Sequence, residues 1–230
     1  MTLDLPPRFA FADFKRSSPL DIRSVVELVL SRHGDRMTVK RLVAARDNLH
    51  KIFDATFKIA NKVGFAGMTL RDLCRETGLS MGGLYGYFRS KDELADIIED
   101  VVRFLAGEIP SWFEHVDDPR LQLDHTLRAH LFLSELLHPW FFFVFMESRL
   151  LSASQRAVAR SAELHIQTAM ATFITAAGVS EPTRAGLLAA HLLASIQDWH
   201  LKRWKYKQLM VTVDAFAESV CEMASSALDA

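Results

Sequence analysis

What most constrains this chain is where it can break. Its seven prolines and ten glycines fall in clusters along 230 residues. Between the clusters apolar residues recur at helical spacing, and no strand-like alternation appears. Ile52, Thr56, Ile59, Ala60 and Val63 make one such stripe, closed by Gly64 where a left-handed helix stop is wanted. The spacing predicts helices over residues 41–63, 70–77, 81–88 and 91–113. Longer ones follow at roughly 121–137, 140–150, 153–177, 181–206 and 211–228. Ahead of these lie an irregular arm at 5–19 and a short helix carrying Ile22, Val25, Val26 and Val29. The fold class is therefore all-α, a cluster of short helices followed by a larger helical region. The divisions expected are 1–40, 41–95 and 96–230. The longest uncharged run, Leu164–Ser180, is too short and too polar to span a bilayer, so no membrane partner is expected. Cys74 and Cys221 each sit inside a helical pattern and read as small buried hydrophobes of a reducing cytoplasm.

Charge divides the chain more sharply than hydropathy does. The net charge of −1 argues, taken whole, against a polyanionic partner. Residues 36–91, however, carry eleven Lys/Arg against four Asp/Glu, net +7, and residues 92–230 carry eleven against nineteen, net −8. A short basic module precedes an acidic one.

The basic module holds the motif. Thr69 is a good N-cap for residues 70–77, Gly78-Leu79-Ser80 makes a tight turn with a second cap, and 81–88 follows as a further helix. Two short helices joined by a glycine-containing turn form a helix-turn-helix, whose second helix enters the DNA major groove. Lys58, Lys62, Arg71, Arg75, Arg89 and Lys91 surround it as phosphate contacts. Three glycines within Met81–Phe88 make little structural sense unless something approaches the backbone closely. Of Tyr85 and Tyr87, one can reach a base or phosphate while the other braces the backbone, or either can be core. Ser90 with Glu93 is a capping box that opens the next helix.

The ordered set Gly64-Phe65, Thr69-Leu70, Gly78-Leu79-Ser80, Leu84-Tyr85 with Phe88, and Ser90-Lys91 with Leu94 resembles the DNA-binding domain of the tetracycline-repressor (TetR) family over residues 46–95. The resemblance implies DNA contacts at Thr69, Ser80, Met81, Gly82, Gly83, Tyr85, Tyr87 and Lys91, and Arg71 of the basic set joins them as a ninth candidate. Gly83 and Tyr87 depart from the family pattern, where Thr or Ser and His are common. Some 40 residues precede the motif where the family has a short arm. Arg8, Lys15 and Arg16 let that extension touch DNA, but its zero net charge favours packing.

For the acidic region the resemblance implies an all-helical domain for ligand binding and dimerisation. Its last two long helices would form a four-helix bundle with a second copy, with Ala185, Ala189, Leu192, Ile196 and Trp199 as the seam. The run Leu136–Met146 holds more aromatic surface than one helix face buries. It is either core or the wall of an apolar pocket on Trp112, Phe113, Phe132, Trp140 and Phe143, with Arg128, Glu147 and Arg149 as polar contacts. Glu135 and His138 have di-iron spacing, but the motif is not repeated, so no metal and no cofactor are expected. The run 199–207 is a second DNA surface or a solvated helix end. The reading that results is a cytoplasmic, dimeric regulator, a repressor that binds a palindromic operator in double-stranded DNA and is released by a small apolar effector. It is not an enzyme. The alternatives are a helical metal-dependent enzyme and a regulator controlled by a protein partner.

Overall fold

The computed structural model describes residues 2–18, 20–39, 42–147 and 153–229. Every regular element among them is helical: α1 (Phe11–Ser17), α2 (Ile22–His33), α3 (Leu42–Gly67), α4 (Leu70–Thr77), α5 (Met81–Leu84), α6 (Lys91–Glu108), α7 (Pro119–Leu136), α8 (His138–Glu147), α9 (Ala153–Ala176), α10 (Pro182–Leu201), α11 (Arg203–Gln208) and α12 (Val213–Leu228). Short 3-10 turns lie at Gly34–Arg36 and Ile109–Phe113. No single helix among the described residues is long and apolar enough to cross a membrane.

The chain forms two compact units, and their limits differ from the expected divisions. The head comprises residues 20–102 with 139–156, and the body comprises 1–19, 103–138 and 157–230. The N-terminal extension is therefore shared: α1 belongs to the body and α2 to the head. The arm expected to be irregular contains a helix because Phe9 and Phe14 find an apolar site, at 1% and 0% exposure.

In the head, α3 buries Ala45, Leu49, Ile52, Phe53 and Phe57 along one stripe. Phe53 and Phe57 meet Trp140 of α8 at 4.5 and 5.3 Å between ring centroids, and Phe57 and Phe65 meet Phe143 at 5.7 and 5.1 Å. Gly64 takes φ +75°, which ends the straight run of α3 where the sequence places its stop. Asp21 caps α2 through the Ser24 N–H. The helix buries Val25, Val26 and Val29. It is clamped by Glu27 to Arg46 of α3, and by Arg32 and His33 to Asp100 of α6 at 2.7 and 3.0 Å.

In the body, α7 packs against α12, α10, α1 and the 109–113 turn. A helix surrounded in this way has no solvent face, and residues 125–134 are buried without interruption. Arg128 lies within that run at 3% exposure, held by Asp124 at 2.8 Å and Glu218 of α12 at 2.5 Å. Burial opposes its charge, but the two carboxylates outweigh burial and raise its pKa. The helix expected over 181–206 breaks at Lys202, where φ is −121° and ψ 34°. The break lets Asp198 gather Lys202, Lys205 and Tyr206, while Trp199 stacks on Tyr206 and Phe216.

Burial pushes His130 of α7 down to about 4, and His200 of α10 down to about 3 with neighbouring His130 and His138 adding to the effect. Below the ordinary histidine value of 6.5 the unfolded chain takes up protons that these rings refuse. Stability is therefore full above that pH and falls as acidification proceeds toward about 4. Urea denaturation at a series of pH values should show this fall, and His130→Leu should make it shallower. Parallel profiles for the two proteins would count against the assignment.

Candidate nucleic-acid interface

The helix-turn-helix forms from local rules. Thr69, extended at φ −114°, accepts a hydrogen bond from the Asp72 N–H, and Asp72 accepts one back from the Thr69 N–H. Leu73 anchors α4 in the core at 0% exposure. Gly78 stops the helix in the left-handed conformation, φ +73° and ψ 6°. Ser80 then accepts from the Gly83 N–H at 3.1 Å and opens α5.

The second helix is shorter than its sequence suggests. It ends at Leu84 rather than Phe88, and residues 85–87 continue as a tight turn with bonds from the Gly86 N–H to the Gly83 carbonyl and the Tyr87 N–H to the Leu84 carbonyl. Each glycine has its own circumstance. A Cβ on Gly86 would stand 3.2 Å from the Gly83 carbonyl oxygen, so that glycine answers an internal crowding. A Cβ on Gly83 would press on Ser80 Oγ at 3.3 Å, whereas one on Gly82 would meet nothing within 4 Å. Gly82 has no internal reason to be glycine.

The nine residues expected to contact DNA do not share one face. Thr69, Arg71, Ser80, Gly82 and Tyr85 are exposed, Tyr85 at 49%, while Met81 and Gly83 are half-buried. Tyr87 is core at 4% exposure, its hydroxyl accepting from Asn48 Nδ2 at 2.8 Å. Two residues along a tight turn point to opposite sides, and the apolar side takes Tyr87. Lys91 is occupied as well. Its Nζ donates to the carbonyls of Phe65, Ala66 and Met68 at 2.9, 3.0 and 3.1 Å, and it lies 5.0 Å from the Phe65 ring centre. With three carbonyl acceptors around its ammonium group, Lys91 caps the end of α3 in the free protein. Among the other basic candidates, Lys58 pairs with Glu76 and Arg75 with Asp72, while Lys62, Arg71 and Arg89 are exposed.

Sequence reasoning missed two braces. Asn48 sits inside α3, where a polar residue of low helix propensity was the available signal. Thr38 gave no signal at all, yet its N–H donates to the Gly86 carbonyl at 2.9 Å and holds the turn beside Tyr85.

The expected pocket residues divide between the units. Trp112, Phe113, Arg128 and Phe132 are buried in the body; Trp140 and Phe143 are buried in the head against α3. Glu147 accepts a hydrogen bond from the Phe65 N–H at 3.1 Å, and Arg128 is consumed by its two carboxylates. Arg149 lies outside the described residues. Within the head, Trp140 and Phe143 of α8 are packed on Phe53, Phe57 and Phe65. The expected dimer seam needs the same kind of correction. Ala185, Ala189, Leu192, Ile196 and Trp199 are 0–4% exposed within a single chain, since they form the inward face of α10. Trp199 donates its indole N–H to Glu135 at 2.9 Å. No group of three or more His, Cys, Asp or Glu side chains among the described residues could hold a metal ion.

Lys91→Ala should lower stability by about 2 kcal/mol through lost capping. It should leave the salt dependence of DNA binding unchanged; a slope reduced by about one unit would restore Lys91 to the phosphate contacts.

Residues 52–97 match the profile of bacterial regulatory proteins of the tetR family. The HTH-type transcriptional regulator HbdR of Aromatoleum sp. (strain CIB) is 24% identical over 161 residues, 68% of this chain and 70% of that protein. Among solved structures, the TetR-family regulator PfmR of Thermus thermophilus superposes with a TM-score of 0.63 at 19% identity, covering 78% of this chain and 97% of its own. A TetR-family regulator of Bordetella parapertussis 12822 gives 0.65 at 15% identity, covering 75% and 91%. At such identities the likeness is one of fold. Together with the ordered motif of residues 64–94 and its capped, glycine-stopped geometry, the profile match identifies residues 52–97 as a tetR-type DNA-binding segment, carried on a fold shared with TetR-family regulators.

Proposed function

We propose that the protein is a repressor that binds a palindromic operator as a homodimer, with one α5 turn per protomer in successive major grooves. The observation that carries this reading is the open backbone at Gly82 beside the exposed ring of Tyr85. A phosphate or groove floor can approach there without meeting a side chain. Thr69 and Ser80 present capped helix starts nearby, and the net +7 of residues 36–91 supplies the field. The contact set on this reading is Thr69, Arg71, Ser80, Met81, Gly82, Gly83 and Tyr85. Release by a small apolar effector acting on the body completes the proposal.

A gel shift with the DNA upstream of the protein's own gene tests operator binding directly. Gly82→Ala makes the test specific. Alanine suits a helix better than glycine, so the variant should be more stable by about 0.5–1 kcal/mol. Its new methyl group should nevertheless weaken operator binding by at least about tenfold. Unchanged affinity would remove the backbone approach from the mechanism.

Dimerisation on this reading uses the outward faces of the last two long helices. Arg184, Leu187, His191 and Ala194 line that face of α10, and Ala215, Ser219, Glu222, Met223 and Ser226 that of α12. Leu187 is 56% exposed and Met223 48%, both large apolar groups among small neighbours. Leu187→Glu should shift the protein to monomer in sedimentation velocity while its helical content stays constant. A dimer that survives the substitution would move the seam elsewhere.

A further inference from the structure

Residues 2–17 are folded into the body as a hook. The Leu3 N–H donates to the Trp112 carbonyl at 3.2 Å, and Leu3, Leu5, Phe9 and Phe14 are all under 8% exposed. Phe9 is the tip. Its ring lies 5.3 Å from the His125 ring, 5.7 Å from Phe132 and 6.5 Å from Phe113, with Phe14 behind it at 6.4 Å. Four apolar anchors must offset the ordering of the whole segment. Two of its polar fastenings sit at the surface: the Phe11 N–H on Asp214 at 2.7 Å, and Arg8 on Glu218 at 3.7 Å with the arginine 79% exposed. Arg8 also takes φ +58°, a conformation unfavourable for a side-chain-bearing residue.

Beneath the tip lies a poorly partnered polar group. His125 is 2% exposed, and neither ring nitrogen has a hydrogen bond of good geometry. The polar contact it does have, a weak one, comes from the Pro6 backbone of the hook itself. A buried imidazole in that condition is costly, and a ligand carrying one polar group would relieve it. The surroundings select the charge of that ligand. Arg128, one turn along α7, already has both its carboxylates, and burial keeps the His125 ring neutral. An anion would find no counter-ion, whereas a hydroxyl can both donate and accept.

We propose that Phe9 occupies, in the free protein, the place of the ring of an uncharged phenolic ligand, and that His125 supplies that ligand's polar contact. The N-terminal hook is then a tethered internal ligand which the free compound displaces. This rests on the reading of the body as effector-responsive.

The probes are p-cresol and toluene, which share a ring and differ in the hydroxyl. In calorimetry Phe9→Ala should bind p-cresol one to one and at least about tenfold more tightly than the unaltered chain, with toluene weaker than p-cresol. Adding His125→Phe should abolish the preference for p-cresol and leave toluene binding in place. In the unaltered chain, saturating p-cresol should speed amide hydrogen exchange of residues 3–14 and leave α3 to α5 unchanged. Equal binding of the two probes would reduce the site to a cavity made by the substitution, and unchanged exchange would make the hook a permanent part of the core. Should Phe9→Ala fail to fold, the exchange experiment decides alone. Operator affinity without probe, measured on the same preparation, reads the regulator function separately. Its loss would overturn that function and leave the phenol site standing.

Discussion

The head depends on one ammonium group. Lys91 reaches back across the sequence from the first turn of α6 to the three carbonyls that end α3, and so fixes where the chain stands when Thr69 begins α4. Gly64 supplies the bend that turns those carbonyls toward it. Without that cap, three acceptors at a helix end would need water in a place lined by the Phe65 ring. The joint sets where α4 begins, and the Gly78 stop and the Ser80 cap then follow from local rules. In the free protein this lysine holds the head together.

Much of this was legible in the sequence because it is governed by short-range rules. The caps at Thr69 and Ser80, the stops at Gly64 and Gly78 and the bounds of α4 concern residues within four positions of one another, and pattern reading recovers them. Roles set by distant partners were not recoverable. Tyr87 and Lys91 stand at positions where the resemblance implies DNA contacts, yet their partners, Asn48 and the Phe65–Met68 carbonyls, lie 39 and 23–26 residues away. The shortened α5 has a different cause: three glycines and the Thr38 brace favour a tight turn over a continued helix.

In the body the failure came from geometry. A stripe of apolar residues shows that a helix has an inward face but not which neighbour it meets. Ala185, Ala189 and Leu192 were assigned to a partner and serve the chain's own core. The periodicity of α7 is weak for the opposite reason, since burial on all sides leaves no polar stripe to read, and its buried Arg128 is matched by particular carboxylates, Asp124 and Glu218. Part of the aromatic run is taken up within the head, where Phe53, Phe57 and Phe65 meet Trp140 and Phe143.

A reading element in which three of eight residues lack side chains has little means of hydrogen-bonding to base edges. Discrimination then falls on the duplex itself: on the local groove width that admits a bare backbone, and on the cost of bending base steps that the protein never touches. On the proposed reading, substitutions in the uncontacted centre of an operator would matter about as much as those under Tyr85. Related operators would be better recognised by their shape than by a consensus of letters.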